Sequence, residues 1–313
     1  MEEVFIKDNK LIGQKEWENY VDDIRREIEE EIKERKLTEG ELKEQLKKDI
    51  ITSIEKRTKD KFAVFFSGGI DSTLIALICK QLKKDFSCYC IGFRTGCMEE
   101  AKDLIVARQI AKELNLRFFE KEINLEEADK LVKKIVKVLP KPKVVDIQYV
   151  VNVGVAAVVL SSIELAQKQG KEKIFFSGLG SEEIFAGYLR HEEAKDVHEE
   201  CWKGLKMMWN RDLVRDWSAA KSKRITIMTP FLDRDVIKTA MKIHVSRKIN
   251  KEHKKIILRE IAEELGLKHE FAWRKKLGAQ YGSKSIKIID QLARDNGFRL
   301  KKEYLANLLQ KAI

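Results

Sequence analysis

Two short stretches carry the residue types that chemistry needs. In residues 62–82, FAVFFSGGIDSTLIALICKQL, an apolar run breaks at Ser67-Gly68-Gly69-Ile70-Asp71-Ser72-Thr73 and resumes as an apolar helix. Gly68 and Gly69 let backbone N–H groups turn toward an oxyanion, Ser67, Ser72 and Thr73 add hydroxyl donors, and the following helix presents its positive N-terminus. Together these form a phosphate cradle. It is not of the G-x-x-x-x-G-K-[ST] kind, which occurs nowhere in the chain. Asp71 would repel a phosphate unless a cation lay between them, so a carboxylate inside an anion cradle implies Mg²⁺ bridging it to phosphate oxygens.

The second stretch, KIFFSGLGSEEIFAGYLRH from Lys173, repeats the logic: a strand, then Ser177-Gly178, Gly180-Ser181, and two carboxylates, Glu182 and Glu183, at a helix start. A carboxylate beside a second glycine turn completes a Mg²⁺ site facing Asp71. Equally, acidic residues at a helix N-terminus complement the dipole.

Strands and helices in alternation must hold these turns. KFAVFF predicts a strand, STLIALICKQLKK a helix, FSCYCIGF a strand, MEEAKDLIVARQIAKELNL a helix and RFFEKEI a strand. After a long helix ending near Gly170, KIFFSGLG is a strand running into the second turn. Such alternation indicates an α/β fold, with right-handed βαβ units and a doubly wound parallel sheet covered on both faces. Ligands of such sheets sit beyond the carboxyl ends of the strands, where both turns fall. Beyond about Glu192 strand signals fade, and a helical C-terminal part is expected. Upstream, EVFIKDNKLIG predicts a hairpin about Asp8-Asn9. Trp17, Val21, Ile24, Ile28 and Ile32 give one apolar face to a charged helix. Thr38 and Glu41 have capping-box spacing for a second, with Leu42, Leu46, Ile50 and Ile54 on its apolar face. Three parts follow: 1–55, a hairpin and charged helical extension or lid; 56–195, an α/β nucleotide domain; 196–313, a basic, mostly helical part of the same unit.

The 313 residues are 43% apolar and bury a sizeable core. Charge is dense, at 36% of residues with only three prolines, a balance typical of proteins from hot environments. The net +11 is uneven: residues 201–313 hold 27 Lys and Arg against 12 Asp and Glu. That third either meets something anionic or is a solvated basic face. Cys79, Cys88, Cys90, Cys97 and Cys201 form no disulfide framework, and MEEVFIKDNK is no leader, so a cytoplasmic protein is expected. VVNVGVAAVVLSSIELA from Val150 is apolar for roughly a dozen residues, short of the ~20 of a membrane span, and predicts a buried core helix.

S-G-G-x-D-S after an apolar strand resembles the pyrophosphate-binding loop of the N-type ATP pyrophosphatases, the PP-loop or adenine nucleotide alpha hydrolase superfamily. Its members cleave ATP to AMP and pyrophosphate to activate an acceptor oxygen. The second stretch resembles the S-G-E-G-x-D-E-x-F-x-G-Y block of asparagine synthetases, and further blocks follow in that family's order. Thr229-Pro230-Phe231-Leu232-Asp233 is similar to its V-P-F-L-D, Lys255-Ile256-Ile257-Leu258-Arg259 to its K-x-x-L-R helix, and Trp273-Arg274-Lys275-Lys276 to its W-R-x-K. The resemblance covers roughly residues 40 to 300. It implies that Ser67, Gly68, Gly69, Asp71, Ser72 and Thr73 hold pyrophosphate and Mg²⁺. It implies too that Ile91, Gly92, Ser177, Gly178 and Gly180 contact the nucleotide, and that Glu182 is the second Mg²⁺ ligand. Lys255 would neutralise charge building on the α-phosphate and the leaving pyrophosphate. Asp71, Glu182 and Lys255 are then the catalytic set, and ATP with Mg²⁺ the cofactors. The implied reaction adenylates a small carboxylate, aspartate in true asparagine synthetases, and ammonia then displaces AMP.

Two departures from that pattern matter. Glutamine-dependent members carry an N-terminal glutaminase domain with a nucleophilic cysteine at position 2, whereas here position 2 is Glu and 66 residues precede the loop. Ammonia is therefore expected free or from a separate glutaminase. Leu179 stands where asparagine synthetases have the Glu of S-G-E-G, and leucine neither accepts a proton nor orients an amine. Replacement of that Glu, the ending Ala186-Gly187-Tyr188-Leu189-Arg190-His191 and the segment Gln280-Tyr281-Gly282-Ser283 are similar to the asparagine synthetase domain-containing group. Two alternatives stand beside the ligase. One is a PP-loop enzyme adenylating a tRNA base, which the basic third suits. The other is a non-catalytic nucleotide-binding homologue acting with a partner. A membrane role is not expected, and a homodimer is left open.

Overall fold

In the computed structural model, which describes residues 2–34, 37–58, 60–96, 99–275 and 278–311, the chain opens on the expected hairpin. Strands β1 (Ile6–Lys7) and β2 (Lys10–Leu11) pair antiparallel through Asp8 and Asn9, both at positive φ, as a tight two-residue turn requires. Helix α1 (Gln14–Glu34) buries Trp17, Val21, Ile24 and Ile28, but Ile32 stays 46% exposed because the helix has outrun its neighbours there. In α2 (Glu39–Glu55) the capping box closes, Thr38 N–H donating to Glu41 Oε2 at 2.8 Å and Glu41 N–H to Thr38 Oγ1 at 3.2 Å. Leu42, Leu46, Ile50 and Ile54 are buried as the spacing predicts. Both apolar faces join the hydrophobic core that covers one side of the main sheet.

Five strands build that sheet: β3 (Phe62–Phe65), β4 (Phe86–Phe93), β5 (Phe118–Ile123), β6 (Ile174–Phe176) and β7 (Thr226–Met228). Their order is β5-β4-β3-β6-β7, with every pair parallel. The chain therefore starts in the middle, winds to one edge, and returns to wind to the other. The reversal lies between β3 and β6, which places both glycine turns at the switch point where such sheets bind ligands. The connecting helices are α3 (Ile70–Gln81), α4 (Lys102–Glu113), α5 (Leu125–Val138) and α6 (Ile147–Gln169). Downstream come α7 (Ser181–Ile184), α8 (Leu189–Glu193), α9 (Val197–Met208), a π-turn (Trp209–Leu213), α10 (Val214–Lys221), α11 (Arg234–Lys242) and α12 (Ile256–Glu264).

Two sequence expectations need correction. Strand β7 falls in the region expected to be helical. It has three residues, and its signal drowns in the charged run before it, but β6 pairs with it from Ile174↔Thr226 to Phe176↔Met228. Helix α6 reaches 23 residues, long and apolar enough by length and composition to cross a membrane. Two-thirds of its apolar window is buried, against β4, α5 and α10, so it is a core helix as expected although longer.

The T-P-F-L-D block has a structural explanation. Phe231 and Leu232 are fully buried, and Asp233 caps α11 by accepting from Asp235 N–H. Arg57, 3% exposed, donates to Glu3 Oε1 at 2.7 Å, Asp233 Oδ2 at 2.8 Å and Ser53 O at 2.9 Å, tying the N-terminal segment to this turn. Burial alone would raise the Asp233 carboxyl, but Lys56 and Arg57 pull it below its ordinary value. Its stabilising contribution is thus present above about pH 4 and lost as acid protonates it. Replacing Arg57 by Met should cost about 3–5 kcal/mol in denaturant unfolding, because buried Glu3 loses its cation and buried Asp233 keeps only the partly exposed Lys56. Lys56→Met, at the 39%-exposed partner of the same Asp233, should cost under about 1 kcal/mol.

Candidate active site

The first turn is compact because its own groups close it. Ser72 Oγ donates to Gly69 O at 3.1 Å and accepts from Ser67 N–H at 3.4 Å. Gly68 has φ +65°, and a Cβ there would lie 3.0 Å from both Ala107 N and Val106 Cγ1 of α4, so only glycine fits. Asp71 sits in the first turn of α3, buried, with its side chain toward the second turn. There a Cβ on Gly178 would stand 2.8 Å from Asp71 Cβ, so the two turns touch.

Lys255 joins them. It precedes α12 in the left-handed region, at φ 57° and ψ 38°, a conformation that costs a non-glycine residue about 1–3 kcal/mol and clusters at functional sites. Its ammonium donates to Asp71 Oδ1 and Oδ2, both at 2.8 Å, and to Ser181 Oγ at 3.2 Å, and pairs with Glu182 Oε1 at 2.7 Å. Burial would lower its pKa, but Asp71 and Glu182 more than reverse this and raise it. Residues 71, 182 and 255, remote in sequence, thus meet within hydrogen-bond distance of one nitrogen.

They open on a cavity of about 910 Å³, large enough for a nucleotide and a small second molecule. Ser67, Gly68, Gly69, Ser72, Ile91, Ser177 and Gly178 line it with the three charged residues. Thr73, Gly92 and Gly180 do not. The Thr73 hydroxyl is turned inward and buried without a hydrogen-bond partner. Gly92 makes room for α4, since a Cβ would lie 2.4 Å from Leu104 Cδ1. Gly180 abuts Leu232 in the same way, at 2.4 Å. Cys97 and Lys276 lie outside the described residues. Cys79, Cys88, Cys90 and Cys201 are all buried.

Two cavity-lining guanidiniums strengthen the cradle. Arg259 donates to Lys254 O at 2.7 Å and Arg274 O at 3.1 Å, and Arg274 to Gly68 O at 3.1 Å. Burial pulls both down from their ordinary range. Their hydrogen bonds go to carbonyls, which fix direction without neutralising charge, so both remain able to bind an oxyanion. In the sequence the first was visible only as part of K-x-x-L-R and the second only as part of W-R-x-K. Inward, the π-turn brings Arg211 and Asp212 to the cavity, and α10 adds Arg215 and Asp216, a network that a charged run in sequence reads as a solvated face. Behind it, burial pushes the Glu183 carboxyl up to about 7 against the pull of Arg211. In Gln280-Tyr281-Gly282-Ser283, Gly282 packs on the carboxylate of Asp103 and Ser283 O accepts from Phe93 N–H at 2.9 Å, extending β4.

Among the described residues no group of three or more His, Cys, Asp or Glu could hold a metal alone. Asp71 and Glu182 do converge on one cation, however, and two hard carboxylate donors completed by phosphate oxygens are the usual composition of a Mg²⁺ site. The residues fit that ion.

A doubly wound parallel sheet with S-G-G-x-D-S at its switch point defines an α/β protein whose candidate site lies beyond the carboxyl ends of its strands. Residues 45–200 and 190–312 match the family model described as asparagine synthase, and the chain belongs to that family. It is 30% identical over 94% of its length to a Methanocaldococcus jannaschii protein named as a glutamine-hydrolysing asparagine synthetase, covering 61% of that protein. It is 28% identical over 72% of its length to an asparagine synthetase domain-containing protein from Saccharomyces cerevisiae, covering 48% of it. The chain thus spans about half to three-fifths of these relatives. Among solved structures, the NMN synthetase from Francisella tularensis matches at 13% identity and a TM-score of 0.40, over 88% of this chain and 95% of that one.

Proposed function

We propose that this chain is an ATP-dependent amide-forming ligase. The observation that carries the reading is the single ammonium of Lys255 between Asp71 and Glu182, facing the first glycine turn. The turn's N–H groups and hydroxyls hold the β- and γ-phosphates, with Arg259 and Arg274 closing on them from the other side. Backbone at Ile91 and Ser177-Gly178 holds the adenosine. An acceptor carboxylate oxygen attacks the α-phosphorus, the bond to the bridging oxygen breaks, and pyrophosphate leaves with the electron pair. Lys255 sits where that charge grows, so its fixed ammonium favours the transition state over the ground state. Ammonia then attacks the acyl carbon, the bond to AMP breaks, and one proton is released with the amide. A magnesium ion held by Asp71 and Glu182 would neutralise phosphate charge during this chemistry.

ATP–pyrophosphate exchange, measured against a panel of carboxylic acids and tRNA, tests the proposal. Exchange should depend on a carboxylic acid and vanish in Asp71→Ala. Exchange that no acid stimulates, or that equals the wild type in the mutant, would sink it.

A further inference from the structure

One buried lysine has no part in the chemistry above. Lys248 is fully buried, and its ammonium donates to Met241 Sδ, a weak acceptor, at 3.7 Å. Among the described residues no carboxylate lies within ion-pair distance of it, although lysine is almost never fully buried unless paired. The titratable groups that face it are Cys201 and His198 from α9, His191 from α8 and Glu39 from the start of α2. Burial, helped by the cations of Arg190, Lys248 and Lys254, holds His191 down at about 3. Burial, helped by Lys248, holds His198 at about 4. Burial also raises the Cys201 thiol, so it stays protonated. The charges that flank the group are engaged elsewhere: Arg247 pairs with Glu260, Lys254 with Glu192 and Arg190 with Glu200. Burial therefore outweighs Cys201 and Glu39 and pulls Lys248 down to about 8.

Lys248 stands at the root of the loop that ends in Lys255. Its N–H donates to Val245 O at 2.8 Å and its carbonyl accepts from Ile256 N–H at 3.1 Å, so its backbone grips the start of α12. Between these points Ile249 and Lys254 form one isolated antiparallel bridge, and Asn250 N–H donates to His253 O at 2.9 Å. Asn250 to Lys255 line the cavity. A loop held by so few bonds opens before the sheet does. A neutral amine packs against a thioether at little cost, whereas an ammonium there has nothing to replace water.

Resting on the ligase reading for its effect on rate alone, we infer that Lys248 is a positioning residue: as the neutral amine it seats the 249–254 loop and with it Lys255, and protonation loosens both. The seated form binds this proton less readily than the open loop, where the side chain reaches water and returns toward its ordinary 10.5. Seating is therefore weakest below about pH 8 and strengthens as pH rises from there toward about 10.5, the reverse of an ion-paired lysine such as Lys255.

Hydrogen exchange of the wild-type protein tests this without a variant. Corrected for the intrinsic rate, protection of the Asn250 and Ile256 amides should rise about tenfold from about pH 7 to about pH 9, while that of β4 stays level. Lys248→Met, similar in volume and uncharged, should keep that protection level across the range and raise the thermal midpoint at about pH 7 by about 5 °C. Pyrophosphate exchange, which needs no ammonia, should rise severalfold over the same interval through kcat, with KM for ATP steady, and lose that rise in Lys248→Met. Titration of Glu183 would instead leave the rise in place in that variant. Unchanged protection between the two pH values, a Met variant that melts lower at neutral pH, or one that keeps the wild-type pH profile would overturn the assignment. If no acid supports exchange, the ligase reading falls, and hydrogen exchange still decides this one.

Discussion

Replacing Lys255 by Met should lower the rate of pyrophosphate exchange about 10²–10³-fold while ATP affinity changes far less, the signature of charge stabilisation felt mainly in the transition state. The substitution keeps the length of the side chain but leaves Asp71 and Glu182 facing each other across a buried space without a cation. The ligand-free protein should therefore also lose stability. Adding Mg²⁺ should recover stability without recovering rate, because a divalent ion between the carboxylates replaces the counter-charge but not the donor aimed at the leaving oxygen. Lys255→Arg should not rescue. The lysine Cε runs close to the Gly187 backbone, where a Cβ would stand only 2.5 Å from it, and a planar guanidinium needs more room than that channel gives. The pKa of Lys255 is raised in the folded state, so its contribution to stability is complete below its unfolded pKa. It is lost only as pH rises through the folded value, so neutral-pH assays see it fully charged. A Met variant with wild-type exchange would remove Lys255 from the chemistry.

Much of this site is legible in the sequence, for reasons specific to each residue. Glycine, serine and a carboxylate at Ser67–Ser72 and Ser177–Glu182 announce themselves because few other uses need two glycines and a carboxylate after an apolar strand. Strands β3, β4 and β6 were readable because, buried on both faces, they are continuous apolar runs. Thr73, Gly92 and Gly180 belong to the same motifs but do not line the cavity, and motif membership does not tell a residue facing a cavity from one facing a helix. Arg211, Asp212, Arg215 and Asp216 failed in the opposite way. In sequence they alternate with apolar residues like any exposed helix. Only the π-turn, which no residue type signals, rotates Arg211 and Asp212 inward. Tertiary closure, not local propensity, decides such cases.

Lys255 was assigned from its flanking residues, and its strained backbone supplies the reason for its position. Helix α12 cannot extend back through a left-handed residue, so the helix must start there. Its first carbonyl, that of Lys255, accepts from Leu258 and Arg259 N–H at 3.0 and 3.2 Å while the side chain turns away toward the two glycine loops. A single backbone choice thereby separates Lys255, which reaches the carboxylates, from Arg259 one turn on, which reaches the loop at Lys254 and Arg274. Two cations of one helix thus line the same cavity from different sides.

Adding one methyl group at position 187 should lower exchange about 10²-fold at little cost in stability. Gly187 lies in the Ala186–His191 stretch, and its importance is steric. A Cβ there would stand 1.7 Å from Glu182 Oε2 and 2.5 Å from Lys255 Cε. Its φ is not positive, so the backbone accepts alanine, and both obstructing atoms belong to flexible side chains. The fold therefore relaxes by moving Glu182 and Lys255, which are the groups whose placement the reaction needs. At Gly68, by contrast, the obstruction includes the backbone of α4 and the φ is positive, so Gly68→Ala strains the fold itself. Gly13→Ala, with nothing within 4 Å of its Cβ, controls for the substitution as such and should leave the rate unchanged. Thermal melts and exchange rates on the three variants separate the outcomes. An unaltered rate in Gly187→Ala, with the fold intact, would mean that Glu182 and Lys255 tolerate displacement and that the carboxylate–ammonium cluster is structural rather than catalytic.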